Sequence, residues 1–195
     1  VNFNVELHKG CSDSLEQNMV VMPNPVASFS ITDSSQCLIT NSFQFNNTTV
    51  VSSGTFSSVW DFGDGNTSNL KNPVNHSYAV DNAQTVKMTI TTGFGCTDND
   101  SKDLIVHPMP QSSFNVNSIE QCLIGNVFSL TDNSKLTRGT IDGRDWDFGD
   151  GSNSMNTLLE SHTFLATGVY SLKLNVTSNE GCLDDSIINV TVNSH

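Results

Sequence analysis

Trp60-Asp61-Phe62-Gly63-Asp64-Gly65 occurs a second time, unchanged, as Trp146-Asp147-Phe148-Gly149-Asp150-Gly151. On an extended strand, alternation of side chains puts Trp60 and Phe62 on one face and Asp61 on the other. Two large rings on one face anchor a small core. Gly63 and the Asp64-Gly65 pair supply the positive φ angles of a tight, primed hairpin turn, so the strand is expected to end there. Trp146, Phe148 and the Gly149-Asp150-Gly151 turn are expected to do the same.

Outward from the hexapeptide the repeat widens. His76-Ser77-Tyr78 follows the first copy, and His162-Thr163-Phe164 follows the second at an offset of 86 residues. Upstream, Cys37-Leu38-Ile39 corresponds to Cys122-Leu123-Ile124, and Phe43 and Phe45 correspond to Phe128 and Leu130. Downstream, the alternating run from Val86 to Thr91 leads to Gly95-Cys96 and Leu104-Ile105-Val106, while Leu172 to Val176 leads to Gly181-Cys182 and Ile188-Asn189-Val190. A third, partial copy opens the chain, with alternation from Val1 to Leu7 followed by Gly10-Cys11 and Met19-Val20-Val21-Met22. Cys11, Cys96 and Cys182 are therefore 85 and 86 residues apart, and such a period marks an array of like modules.

Pro23-Asn24-Pro25 and Pro108-Met109-Pro110 break any strand and stiffen the joints between copies. The expected organisation is a C-terminal strand pair of a truncated preceding repeat over 1–22, a first module over 23–107 and a second over 108–195. Short alternating strands with regular turn signals indicate a β-sandwich for each full module. An isolated strand pair is marginal in water, so residues 1–22 are expected to fray, to lean on the next module or to pair with another chain's edge.

Of 195 residues only 14% are charged, and Ser, Thr and Asn are abundant, as in a secreted β protein with polar outward faces. The net charge of -12 excludes a nucleic-acid partner, because phosphate binding needs clustered Lys and Arg. No apolar run is long enough to span a membrane, so membrane insertion is not expected. The chain begins at Val1 without a leader and reads as a piece of a longer polypeptide. Cys37 and Cys96 are 59 residues apart, and Cys122 and Cys182 are 60 apart. One pair at matching positions in each module predicts two intramodule disulfides formed in an oxidising compartment. Cys11 is left over, and its partner is expected upstream of Val1.

No catalytic site is expected. Paired-carboxylate chemistry needs two carboxyls across a cleft with one pKa raised by burial. Asp64 and Asp150 instead sit at turn tips and should be solvated, and Asp61 and Asp147 should bond to loop backbone. His76 and His162 lack the further ligands of a zinc site and are expected to hydrogen-bond a turn. No G-x-S-x-G and no phosphate loop is present. Asp98-Asn99-Asp100-Ser101-Lys102-Asp103 has the oxygen-rich look of a calcium loop but lacks the glycine and glutamate of an EF-hand, so it reads as a polar hairpin. No cofactor is therefore expected, with calcium stiffening the acidic joints as the sharper alternative.

The combination of Trp-Asp-Phe-Gly-Asp-Gly, Asn72-Pro73, His76-Ser77-Tyr78 and a closing Gly-Cys resembles the polycystic kidney disease (PKD) repeat, across nearly the whole chain. The resemblance implies an all-β fold of tandem immunoglobulin-like, Greek-key sandwiches with a partial N-terminal repeat. The added cysteines and Pro-x-Pro joints resemble arrays in very large Bacteroidota cell-surface proteins, including gliding-motility adhesins exported by type IX secretion. That implies a non-enzymatic extracellular spacer or adhesion segment that presents a distal binding region and resists extension. Its partners would be neighbouring repeats of the same chain and protein or polysaccharide surfaces. An accessory carbohydrate- or protein-binding module of a secreted hydrolase is the alternative. The second module departs from the pattern at Leu159, where the first has Pro73, and at Phe164, which lacks the hydroxyl of Tyr78.

Overall fold

The computed structural model describes residues 2–6, 12–16, 18, 24–73 and 75–194, and every regular element among them is a strand. Gly10-Cys11, Met19-Val20-Val21-Met22 and Pro23 lie outside the described residues. In the N-terminal segment, β1 (Asn2–Glu6) and β2 (Ser12–Glu16) form an antiparallel two-stranded ribbon.

The first module contains β3 (Phe29–Thr32), β4 (Ser35–Cys37), β5 (Gln44–Asn47), β6 (Phe56–Asp61), β7 (Thr67–Ser68), β8 (Ala83–Thr92) and β9 (Thr97–His107). One sheet has the order β4-β9-β8-β6-β7, and β3 and β5 form the facing sheet. The second module repeats the plan with β10 (Phe114–Val116), β11 (Glu120–Cys122), β12 (Phe128–Asp132), β13 (Ile141–Asp147), β14 (Asn153–Met155), β15 (Leu159–His162), β16 (Gly168–Ser178) and β17 (Leu183–Asn193). Its sheets run β11-β17-β16-β13-β14 and β10-β12-β15.

Alternation decides which face each strand buries. Val86, Met88 and Ile90 of β8, with Trp60 and Phe62, pack against Phe29, Phe43 and Phe45 of the facing layer. Leu172, Leu174 and Val176 of β16, with Trp146 and Phe148, pack in the same way against Phe114, Phe128 and Leu130. Phe29 meets Trp60 edge to face at 5.1 Å, and Phe114 meets Trp146 at the same separation. Each indole also donates outward, Trp60 Nε1 to Leu70 O at 3.0 Å and Trp146 Nε1 to Thr157 O at 3.1 Å, which satisfies the buried polar end of the ring.

The two departures of the second module have structural counterparts. Proline has no N–H to give to a ladder. Pro73 precedes a single bridge between Phe43 and His76, whereas Leu159 opens β15, which pairs with β12 over four residues. The hydroxyl of Tyr78 donates to Phe62 O at 2.9 Å. Phe164 has no such group, and the ring of Tyr170 stacks on it at 3.8 Å and donates its own hydroxyl to Ala166 O.

Candidate functional site: an inter-module junction

In each module a short strand runs parallel to the long final strand and meets its C-terminal end. β4 pairs with β9 so that Cys37 lies opposite His107, and β11 pairs with β17 so that Cys122 lies opposite Asn193. Cys96 and Cys182 precede the opposite ends of those eleven-residue strands. At roughly 3.3 Å per residue, each expected intramodule pair is about 35 Å apart, far beyond the reach of a disulfide. The expectation of Cys37–Cys96 and Cys122–Cys182 bridges is thus corrected. Equal spacing in sequence reflected a repeated pattern, not proximity in space. The disulfide joins Cys37 to Cys182 across the two modules, with Cα atoms 5.6 Å apart and 145 residues between them in sequence. Cys96 and Cys122 are free.

The bond sits in a set of polar contacts between the hairpin tip at 178–182 and the end of the first module. His107 Nε2 lies 2.8 Å from Ser35 Oγ and 3.7 Å from the Glu180 carboxylate. Asn179 Nδ2 donates to Glu180 Oε1, and Asn179 Oδ1 accepts from Thr140 N at 3.0 Å, which fixes the tip against the β12–β13 loop. From that loop, Arg138 reaches back to the carbonyl and carboxylate of Asp81 in the first module. Pro108 and Pro110 are buried in the linker between. Pro-Met-Pro, a disulfide and an ion pair therefore act together to define the joint.

Two side chains that sequence reasoning missed hold the junction loops in shape. Buried Asn41 donates Nδ2 to Leu38 O at 2.7 Å and to Tyr78 O at 2.9 Å, and accepts from Tyr78 N at 2.7 Å. Asn126 repeats all three contacts with Leu123 and Phe164. Their repetition four residues after Cys37 and Cys122 was a visible signal.

The repeated hexapeptide forms a distinct, structural cluster. Trp60 and Phe62 are buried and Asp61 is exposed, its Oδ1 accepting from Gly63 N at 3.0 Å; Asp147 and Gly149 match at 2.9 Å. The turn departs from the primed hairpin expected. Gly63 and Gly65 have φ of 83° and 91°, while Asp64 between them is outside the left-handed region. Nor is Asp64 merely solvated. Its carboxylate accepts from Asn66 N and lies 2.8 Å from His76 Nε2, and Asp150 lies 2.7 Å from His162 Nε2. Each imidazole stacks on the motif phenylalanine, His76 on Phe62 at 4.1 Å and His162 on Phe148 at 4.2 Å. Partial burial pushes the Asp150 pKa up, but bonds from the Ser152 hydroxyl and N–H and from His162 outweigh it and hold the value at about 2.

The acidic segment 98–103 lies on β9, the second strand of the β8–β9 hairpin. Asp98 accepts from Ala27 N at 2.8 Å and Asp100 from Phe29 N at 3.2 Å, which ties the first strand to the opposite sheet. Asp184 does the same for Ser112 N in the second module. Among the described residues no group of three or more His, Cys, Asp or Glu is placed to hold a metal ion, and no helix is long and apolar enough to cross a membrane.

The paired sandwiches and their stapled joint define a tandem immunoglobulin-like array. A family model described as the PKD domain matches residues 22–106 and 119–192, and the chain belongs to that family. Among solved structures, the chain is similar to the PKD1 domain from the Vibrio cholerae metalloprotease PrtV, with 25% identity over 44% of this chain and 98% of that one, at a TM-score of 0.39. It is similar to the PKD1 domain of Vibrio anguillarum Epp, with 23% identity over 45% and 96%, at 0.39. It is also similar to a Ca2+-stabilized adhesin that helps an Antarctic bacterium bind ice, with 11% identity over 100% and 56%, at 0.49.

Proposed function

We propose that this chain is a non-enzymatic spacer segment of a large adhesin on a bacterial cell surface, in which stapled modules hold a distal binding region away from the cell. The observation that carries this is the Cys37–Cys182 bond across the Pro108-Met109-Pro110 joint. A disulfide is maintained in oxidising surroundings, which fits an extracellular location. A joint closed by a covalent bond, two prolines and the Arg138–Asp81 pair restricts one module relative to the next, and that restriction is useful in a spacer. The resemblance of the cysteine and Pro-x-Pro pattern to arrays in gliding-motility adhesins of Bacteroidota exported by type IX secretion supports a parent protein of that kind. Its partners are neighbouring modules and, at the distal end, protein or polysaccharide surfaces.

The aromatic side chains favour this over an accessory carbohydrate-binding role. A sugar-binding face presents a row of exposed rings, whereas among residues 24–73 and 75–194 Phe94, at a hairpin tip, is the one aromatic side chain that is largely exposed. The N-terminal ribbon, residues 1–22 in the expected organisation, belongs in this reading to a preceding repeat, with modules over 23–107 and 108–195. Small-angle X-ray scattering of oxidised and reduced protein tests the proposal. An elongated particle whose dimensions survive dilution and broaden on reduction is expected. A compact or dimerising particle would overturn it.

A further inference from the structure

The junction is made of two halves, and the chain carries each half twice. One is the end of the parallel strand, Cys37-Leu38-Ile39, with its copy Cys122-Leu123-Ile124. The other is the hairpin tip ending in Gly181-Cys182, with its copy ending in Gly95-Cys96. The structure joins one half of each kind, Cys37 to Cys182. The remaining two, Cys122 on the second module and Cys96 on the first, are built on the same frame.

Cys96 N is held by Thr92 Oγ1 at 3.1 Å, as Cys182 N is held by Ser178 Oγ at 3.0 Å. Leu123 N donates to Asn193 O at 2.9 Å, as Leu38 N donates to His107 O at 2.9 Å. Asn126 braces the Cys122 loop through the contacts that Asn41 makes beside Cys37. The difference is exposure. Joined Cys182 is 1% exposed, whereas Cys122 is exposed and Cys96 half-buried. Beside Cys96 stands Phe94, 60% exposed, an apolar group that an abutting module would cover. Neither free thiol has a cysteine within reach in its own module, because the full length of β9 or β17 intervenes.

We propose that Cys122 and Cys96 are the open halves of two further junctions, each taking another module of this kind. Cys122 would bond the hairpin-tip cysteine of a module abutting its end, and Cys96 the strand-end cysteine of a module abutting the other. Each bond forms when two thiols lose two protons and two electrons to a disulfide oxidant, which is reduced to two thiols. The consequence is an array in which every joint is stapled, with successive disulfide loops overlapping. This rests on the spacer reading, since it requires modules in series.

The chain itself supplies the probe, because Cys122 of one copy complements Cys96 of another. Concentrated protein carrying Cys11→Ser, equilibrated in a glutathione redox buffer, is expected to give a ladder on non-reducing gels. Mass mapping should find Cys96 joined to Cys122, and Cys96→Ser or Cys122→Ser should leave monomers. In a second arm, residues 108–195 are appended after Asn193, and the added copy of Cys182 should bond Cys122 at any dilution. A bond in that arm alone supports the proposal for modules tethered in one polypeptide. A Cys122 thiol that stays reactive in the extended chain, or links that are mainly Cys96–Cys96 and Cys122–Cys122, would overturn it. An elongated particle with an unbonded Cys122 would leave the spacer reading standing and remove only this inference.

Discussion

Asn41 grips the backbone of Tyr78 from both sides, donating to its carbonyl at 2.9 Å and accepting from its N–H at 2.7 Å, although 37 residues separate them. A third bond, to Leu38 O, makes this side chain the brace of the loop that follows Cys37. Asn41→Ala removes all three and leaves the buried Tyr78 N–H without a partner. An unsatisfied buried group costs on the order of 1–3 kcal/mol, so urea denaturation should show a loss of about 3 kcal/mol for Asn41→Ala. Asn126→Ala should weaken the second module similarly, and a loss below about 0.5 kcal/mol would show that water takes over the bonds.

The glycines of the repeated turn should separate under substitution. A Cβ at Gly63 would lie 2.7 Å from Thr85 O, and one at Gly149 would lie 2.9 Å from Ser171 O. A Cβ at Gly65 meets nothing within 4 Å. Both Gly63 and Gly65 have positive φ, so alanine at either pays backbone strain of about 1 kcal/mol, and only Gly63→Ala adds a backbone clash. Thermal unfolding should therefore rank Gly63→Ala well below Gly65→Ala. Equal losses would mean that φ alone dictates glycine here.

Acid should weaken the second module in a defined window. The Asp150 carboxyl is held at about 2, below its ordinary value of 3.8. A group whose folded pKa is depressed contributes stability fully above its unfolded pKa and loses it as pH falls through the folded value. The stability of the module should therefore decline between about pH 4 and pH 2. Asp150→Asn should cost stability at neutral pH and flatten that part of the decline. Asp64 is shifted downward as well, its burial outweighed by bonds from Asn66 and His76, so Asp64→Asn should act likewise in the first module. An unchanged acid limb in both variants would contradict the assignment.

Calcium should leave melting unchanged. The carboxylates of Asp98, Asp100 and Asp184 accept backbone N–H groups at the sandwich edges, and among the described residues no three acidic groups converge to hold a cation. Calorimetry in chelator and in millimolar calcium should give the same melting temperature. A clear rise with calcium would place a site at the acidic joints.

The sandwich was legible because its signals are local. Two rings in Trp-Asp-Phe, glycines at a turn and alternation along β8 and β16 act within a few residues, and their repetition at 85 or 86 residues marks each module. The junction was not legible for the opposite reason. A period shows which cysteines are equivalent, but pairing depends on which end of an eleven-residue strand each occupies, and that follows from the parallel β4–β9 register. The carboxylates of 98–103 lie on the β8–β9 hairpin as their polar pattern indicated, but their partners, 71 residues away at the start of β3, were not legible for a related cause.

The Cys37–Cys182 bond also determines how tension would travel. A pull applied outside the two cysteines crosses from one to the other through two sulfur atoms, and the intervening backbone forms a closed loop that carries none of it. Unfolding of the strands inside the loop then adds no length. Reduction releases 145 residues, about 480 Å of extended chain at roughly 3.3 Å per residue. Single-molecule stretching should record that difference in contour length between oxidised and reduced protein. The redox state of one bond would thus select between a short tie and a long, yielding spring.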